Sequence, residues 1–291
     1  MLLLVGLGTV VFHFISPWWW TPIASNWGYI DDTIILTFWV TGVVFVGVIL
    51  FMAYCTYRYR YKEGKKAEYE PENPKLEWWL TILTSIGVAL MLAPGLWVWN
   101  DFVTVPEEAG EFEVLAKQWE WTYRFPGKDG KLGTSEPKYM NDKNPFGINP
   151  KDNNGRDDIL IDDSEVHLPI NKPVKVLLRS TDVLHDFYVP QFRAKMDIVP
   201  GSVTYFWFTP TKIGEFDALC FELCGVGHYA MRGTVVVEEA SAFQAWLQEQ
   251  PTFAELSAQA EDGTRNIMTL VVSEGEADTA VRRVAWGTQT D

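Results

Sequence analysis

Residues 220–231 read Cys220-Phe221-Glu222-Leu223-Cys224-Gly225-Val226-Gly227-His228-Tyr229-Ala230-Met231. Two thiols, an imidazole and a thioether stand within twelve residues. They are soft and borderline ligands, the set that suits copper. Gly225 and Gly227 let the loop between them fold back tightly. A second imidazole, His185, lies 35 residues upstream at the start of an apolar run. A disulfide between Cys220 and Cys224 would leave His228 and Met231 without a role. Zinc has little use for methionine. A mononuclear blue-copper site takes two His, one Cys and an axial Met, so the second Cys would be surplus. Two coppers bridged by two thiolates, with one His on each metal, fit the whole set.

On either side of this loop the chain alternates in short runs rich in Val, Phe, Tyr and Trp. Candidate strands cover 112–123, 158–167, 174–179, 185–189, 203–208, 215–219 and 233–237, punctuated by Pro126-Gly127, Pro200-Gly201, Gly214 and Gly225. Short strands at this spacing predict a β-sandwich or barrel. The stretch 127–156, rich in Lys, Asp, Asn, Gly and Pro, reads as a surface insertion between strands. Residues 241–250, with Phe243, Trp246 and Leu247, predict a short amphipathic helix. His167, in a polar strand, is expected at the surface. The tail 251–291 carries no assignable signal.

Further upstream the composition changes. Residues 33–57 and 78–100 are free of charge, and each is long enough to cross a hydrocarbon core as a helix. A soluble helix of that length would show a polar face. The loop 58–77 holds Arg58, Arg60, Lys62, Lys65, Lys66 and Lys75, which makes it cytoplasmic. The hairpin 27–100 then delivers the domain 101–250 to the opposite, periplasmic side. The apolar segment 1–26 is either a third short span or an interfacial segment, with Trp18, Trp19 and Trp20 at the outer interface and His13 facing a neighbouring helix. The fold class is therefore a membrane-anchored all-β protein. Residues 78–291 carry a net charge of −13 out of −14 for the chain. That excludes a nucleic-acid binder and points to a basic partner. The composition also excludes a disordered chain and a simple soluble enzyme.

The spacing C-x3-C-x3-H-x2-M, preceded by Asp182-Val183-Leu184-His185, Pro190, Lys195-Met196-Asp197 and Pro200-Gly201, resembles cytochrome c oxidase subunit II. Gln118-Trp119-Glu120-Trp121-Thr122-Tyr123 is similar to that family's aromatic stretch, and the helical hairpin matches as well. The resemblance spans residues 27–250 and implies a cupredoxin-like domain. It implies that His185, Cys220, Cys224, His228 and Met231 are side-chain ligands of a dinuclear mixed-valence copper A centre. Glu222 would add its backbone carbonyl, and its carboxylate would reach a magnesium ion shared with subunit I. Trp119 would receive electrons from cytochrome c, while Trp121, expected on the same strand face, would be the core tryptophan. Asp182 and the general acidity would steer that basic donor. Glu77, at the cytoplasmic start of the second span, resembles a carboxylate at the mouth of a proton channel; a helix macrodipole also favours an acid there.

The implied activity is oxygen reduction to water, coupled to proton pumping, in a complex with a haem-bearing subunit I and a subunit III. The implied location is a bacterial inner membrane, multi-pass. No C-x-x-C-H occurs, so no haem is expected in this chain. Two departures from the family pattern, Phe221 for a small residue and Glu120 for Tyr, remove no ligand. The competing readings are a copper-less quinol oxidase subunit II, which lacks these ligands, and a freestanding membrane-anchored copper carrier, which needs only one anchor.

Overall fold

A computed structural model describes residues 1–16, 21–66 and 69–261. The expected markers Trp18, Trp19 and Trp20, and the tail beyond 261, lie outside the described residues.

Three helices come first: α1 (Leu2–Ile15), α2 (Gly28–Arg58) and α3 (Pro74–Val103). No residue of α2 or α3 is buried. Val43, Phe51 and Leu90 are each about two-thirds exposed, so these helices show apolar surface all round. At about 1.5 Å per residue, both exceed a hydrocarbon core of about 30 Å, and the chain is membrane-anchored. The start of α2 meets the end of α3, where the Tyr29 hydroxyl donates to Asp101 Oδ2 at 2.6 Å. The two therefore form an antiparallel hairpin. Helix α1 lies antiparallel on α2. Gly6 abuts Ile49, and the His13 ring sits 5.3 Å from that of Phe38. At its start α3 is capped by Asn73, whose side chain accepts from the Leu76 N–H at 3.1 Å.

Ten strands follow. One sheet runs β3 (Ile159–Ile161), β2 (Glu120–Phe125), β1 (Gly110–Lys117), β5 (Val174–Ser180) and β8 (Thr204–Phe208). The other runs β4 (Glu165–Pro169), β10 (Arg232–Glu238), β9 (Gly214–Cys220), β6 (His185–Val189) and β7 (Ala194–Ile198). Alternate residues point inward, as in β10, where Val235 and Val237 are buried between half-buried neighbours. Between the sheets Phe112, Val114, Tyr123, Phe187, Phe206 and Phe208 fill one core.

Two expected strands divide in the structure. The stretch 112–123 is a hairpin of β1 and β2 turning at Gln118-Trp119, so Trp119 does not share a strand face with Trp121. The stretch 158–167 contributes β3 to one sheet and β4 to the other, breaking at Asp162-Asp163-Ser164. Strand β7 and a final helix α5 (Phe253–Glu261) add to the expected elements, while α4 (Ala240–Glu249) lies where a helix was expected.

The insertion 127–156 lies between β2 and β3, and it is more than a surface loop. Phe146 and Ile148 are fully buried in a second cluster with Leu115, Leu160, Phe253 and Leu256. It is tied down by the buried Arg124 guanidinium, which pairs with Asp158, bonds Glu113 Oε2 at 2.9 Å and also holds Ser135 and the Gly133 carbonyl. Residues 21–27, just before the hairpin, pack into the β domain. Ala24 N–H donates to the Gln191 carbonyl at 2.7 Å and Trp27 Nε1 to the Trp207 carbonyl at 2.9 Å. Trp207 Nε1 in turn donates to the Asp101 carbonyl at 3.1 Å, and Arg193 pairs with Asp31 at 2.7 Å. Segment 21–31 thus holds the sandwich on its membrane anchor at several points, and the sandwich positions the site.

Candidate metal centre

Strands β6 and β9 pair side by side, with Phe187 opposite Cys220, which brings the first residue of β6, His185, beside the last residue of β9. After Cys220 the chain loops out and returns at Met231, whose carbonyl accepts from the Cys220 N–H at 3.2 Å. The loop is thus closed at its base, and Cys220, Cys224 and Met231 turn inward. Cys220 Sγ and Cys224 Sγ stand 3.7 Å apart. His185 Nδ1 is 3.7 Å from Cys220 Sγ, and His228 Nδ1 is 3.6 Å from Cys224 Sγ. Met231 Sδ lies 4.0 Å from Cys224 Sγ, and the Glu222 carbonyl 3.3 Å from Cys220 Sγ. Two ligands of one metal, each bound at about 2.0–2.3 Å in tetrahedral geometry, stand about 3.5 Å apart. The separations therefore suit donors sharing metal ions. His185, Cys220, Cys224 and Met231 are buried, so a metal here would be shielded from water.

The protonation of the site follows its geometry. Burial pushes the Cys220 thiol up, but the His185 ring and the backbone at Asp186 and Glu222 outweigh it and bring the group down to about 6. Burial and the neighbouring Cys220 sulfur push Cys224 up to about 12. Without metal, the pair holds one thiolate and one thiol, and binding must expel the remaining proton. Asp182 Oδ1 lies 2.9 Å from His185 Nε2. An ionised carboxylate can only accept, so Nε2 donates to Asp182, and Nδ1 is the nitrogen left to face the sulfurs and to give its lone pair to a metal.

Trp119 sits in the β1–β2 turn, 39% exposed, and its ring covers the metal loop. Its Nε1 donates to the Cys224 carbonyl at 3.1 Å, and Gln118 Nε2 donates to the same oxygen at 2.7 Å. The indole lies so close to the loop that a Cβ at Gly227 would be 2.3 Å from Trp119 Cδ2. Trp121 is buried in the core, edge-on to Phe187 at 5.2 Å.

The family described as cytochrome c oxidase subunit II, periplasmic domain, matches residues 112–240. An alternative cytochrome c oxidase subunit 2 from Bradyrhizobium diazoefficiens is 62% identical over 257 residues, covering 88% of this chain and 93% of that protein. The chain belongs to the cytochrome c oxidase subunit II family. Cytochrome c oxidase subunit 2 of Cereibacter sphaeroides is 27% identical over 237 residues, covering 79% of this chain and 77% of its own. The crystal structure of the periplasmic domain of subunit II of cytochrome oxidase of Bradyrhizobium japonicum aligns at 29% identity and a TM-score of 0.37, covering 50% of this chain and 95% of that one.

As a subunit II, the chain is one part of an oxidase assembled with other subunits, and its family carries a copper A site. The donor set described above fits that group. Around the subunit II metal loop, Phe221, Leu223, Val226 and Tyr229 point outward, and Leu223, Val226 and Tyr229 are more than 80% exposed. Behind the loop, burial pushes Asp186 up to about 7, against the pull of Lys195 Nζ at 3.1 Å. Glu77 stands exposed in the first turn of α3, at the far end of the molecule from the metal loop. His167, expected at the surface, is half-buried. Its two nitrogens meet Glu238 at 2.8 Å and Glu165 at 2.9 Å, and its ring stacks on Trp246 at 4.3 Å, joining α4 to the sheet. Gln118 is the site residue the sequence reading passed over. Its signal was its place beside Trp119 in a turn, which a single long strand concealed.

Proposed function

We propose that this subunit accepts electrons from cytochrome c on the periplasmic side of a bacterial inner membrane and passes them to haem in subunit I, where oxygen is reduced and protons are pumped. The observation that carries the reading is the pair of sulfurs 3.7 Å apart, flanked by two imidazole Nδ1 atoms, a thioether and a carbonyl. When bound, two copper ions would supply one-electron chemistry with the charge spread over both metals.

Cys220, Cys224, His185, His228 and Met231, with the Glu222 carbonyl, would hold the two metals. The strands and the closed loop hold these groups in one arrangement, so little rearrangement accompanies a change of charge. Trp119, partly exposed and bonded to the Cys224 carbonyl, is suited to receive the electron at the surface. The net −13 on residues 78–291 suits a basic donor, and the pull should weaken with salt. The Glu222 carboxylate, a hard oxygen ligand, would serve magnesium at the subunit I boundary. Glu77 would collect protons at the cytoplasmic surface for a channel in subunit I. The exposed apolar side chains of the metal loop suit burial against another oxidase subunit.

Metal analysis and electron paramagnetic resonance of the purified oxidase test the reading. Two coppers in this subunit with one unpaired electron shared between them are expected, and Cys220→Ser should abolish the shared signal. A single copper with a one-metal spectrum refutes it.

A further inference from the structure

We infer that Arg193 is a latch that fixes the metal-bearing sandwich on its helical anchor, and so sets where the metal centre stands relative to the subunit that takes its electron; the second half rests on the copper reading of residues 220–231.

The covalent path from anchor to sandwich is a single one. It runs from the end of α3 at Val103 through residues 104–109, which form neither helix nor strand, to the start of β1 at Gly110. One such linker leaves the sandwich free to tilt. The second attachment is non-covalent. The strap 21–26, just ahead of α2, threads between two turns of the sandwich. Ala24 N–H donates to the Gln191 carbonyl at 2.7 Å, and the Ala24 carbonyl accepts from the Thr211 N–H at 2.8 Å. Ser25 Oγ donates to the Phe192 carbonyl at 2.7 Å.

Arg193 locks this attachment to α2 itself. Its Nε donates to Asp31 Oδ1 at 2.7 Å and its Nη2 to Asp31 Oδ2 at 3.0 Å, a two-pronged bond to the first turn of α2. Nη2 also donates to the Thr21 carbonyl at 2.6 Å, and Nη1 to the Pro190 carbonyl at 2.7 Å. One guanidinium thus joins the helix, the strap before it and a turn of the sandwich. Only 15% of its side chain is exposed, so salt screens the pair little. The backbone at Arg193 has φ 55° and ψ 22°, the left-handed region that a residue with a Cβ resists. The neighbouring Phe192 is fully buried, 4.8 Å from Phe208 and 5.1 Å from Phe216. The turn is therefore built into the core, and the latch bears on the whole sandwich. Strand β6 runs from the candidate ligand His185 into this same turn.

The test uses the assembled oxidase with Arg193→Gly and Asp31→Ala. Glycine adopts φ 55° freely, so Arg193→Gly removes the latch without disturbing the turn. Three quantities are measured: hydrogen exchange of the backbone amides of 21–27, the distance between the copper centre and the partner's haem by pulsed electron resonance, and the rate of electron passage between them after rapid injection of one electron. Exchange should rise in both variants, with or without copper. The distance distribution should broaden. A misplacement of about 1 Å can cost about a hundredfold in rate, and a loosened domain should slow electron passage about tenfold. Copper content and the rate of copper reduction by cytochrome c should stay at wild type. The double variant should match the single ones, because either change opens the same bond. If Arg193→Gly fails to retain the partner subunit, Arg193→Lys, which keeps the charge but not the fork, takes its place. Unchanged exchange overturns the latch. Raised exchange with an unchanged distance and an unchanged rate overturns its positioning role and leaves Arg193 as a stabilising contact only. A wild-type oxidase without a two-copper signal refutes the copper reading, while the exchange measurement still decides the latch.

Discussion

Gly227→Ala isolates the contact between Trp119, the proposed point of electron entry, and the metal loop. Gly227 has φ −88° and ψ 4°, which alanine also adopts, so the substitution carries no backbone strain. Gly225, at φ 114°, would not allow so clean a test. The new Cβ would lie 2.3 Å from Trp119 Cδ2 and 2.7 Å from Cε3 and Cγ, against the face of the indole. Carbon atoms rest at about 3.5–4.0 Å, so the ring or the loop must give by about 1.2 Å or more. The loop is closed at its base by the Cys220–Met231 bond, whereas the ring is partly exposed. The ring is therefore the part that moves, and the Nε1 bond to Cys224 goes with it. Overpacking costs about 1–3 kcal/mol and the lost bond about 1 kcal/mol. The expected destabilisation of the full chain in detergent is about 2–4 kcal/mol. The assay is a double-mutant cycle on thermal or denaturant unfolding, with Trp119→Ala as the second change, alongside the rate of copper reduction by cytochrome c. In the Trp119→Ala background the alanine should cost almost nothing, and in the wild-type background electron arrival should slow while copper content holds. A penalty equal in both backgrounds, to within about 0.5 kcal/mol, refutes the contact as its source.

Arg124→Met leaves Glu113 and Asp158 buried without their shared cation. It should cost about 3–5 kcal/mol and make the 127–156 insertion more susceptible to proteolysis, with the copper spectrum unchanged. Asp162 should give a measurable pH dependence. Burial, with Glu120 adding, raises its carboxyl from 3.8 to about 6, so the folded state holds the proton more tightly. Its contribution to stability is full below about pH 4 and is lost as pH rises through 6. Asp162→Asn should flatten that loss and raise stability at pH 8, relative to wild type, by about 1–3 kcal/mol in denaturant titrations; equal gains at pH 4 and pH 8 refute the assignment. Glu77→Gln should slow oxygen turnover by the assembled complex while the copper spectrum and cytochrome c affinity stay unchanged. Because Asn73 already caps α3, a role limited to the helix end predicts a cost of about 1 kcal/mol or less and normal turnover.

The metal loop was legible in the sequence because its chemistry is contiguous: Cys220, Cys224, His228 and Met231 declare themselves by type and spacing, and the strands on either side by alternation. What escaped has two physical origins. Some signals were present but quiet. Thr252 and Glu255 form a reciprocal cap, with Thr252 N–H donating to Glu255 Oε2 at 2.8 Å and Glu255 N–H to Thr252 Oγ1 at 3.3 Å, and α5 follows from it. The residues Asp162-Asp163-Ser164 are likewise turn formers inside what read as one strand. Other features depend on partners far along the chain. The turn at Gln118-Trp119 has neither Gly nor Pro to announce it; it is held by the Lys117–Glu120 pair at 3.2 Å and by Asp182, 64 residues away. Arg124, one residue past the expected strand 112–123, has nothing to mark it until Asp158 and the insertion close around it. The division has a consequence for function. Ligands must converge on a metal, so a local motif can carry them, but the residue that receives the electron has only to lie against those ligands and can come from any part of the fold. Trp119, proposed for that role, comes from the opposite sheet, through a turn bonded to the same carboxylate that meets His185.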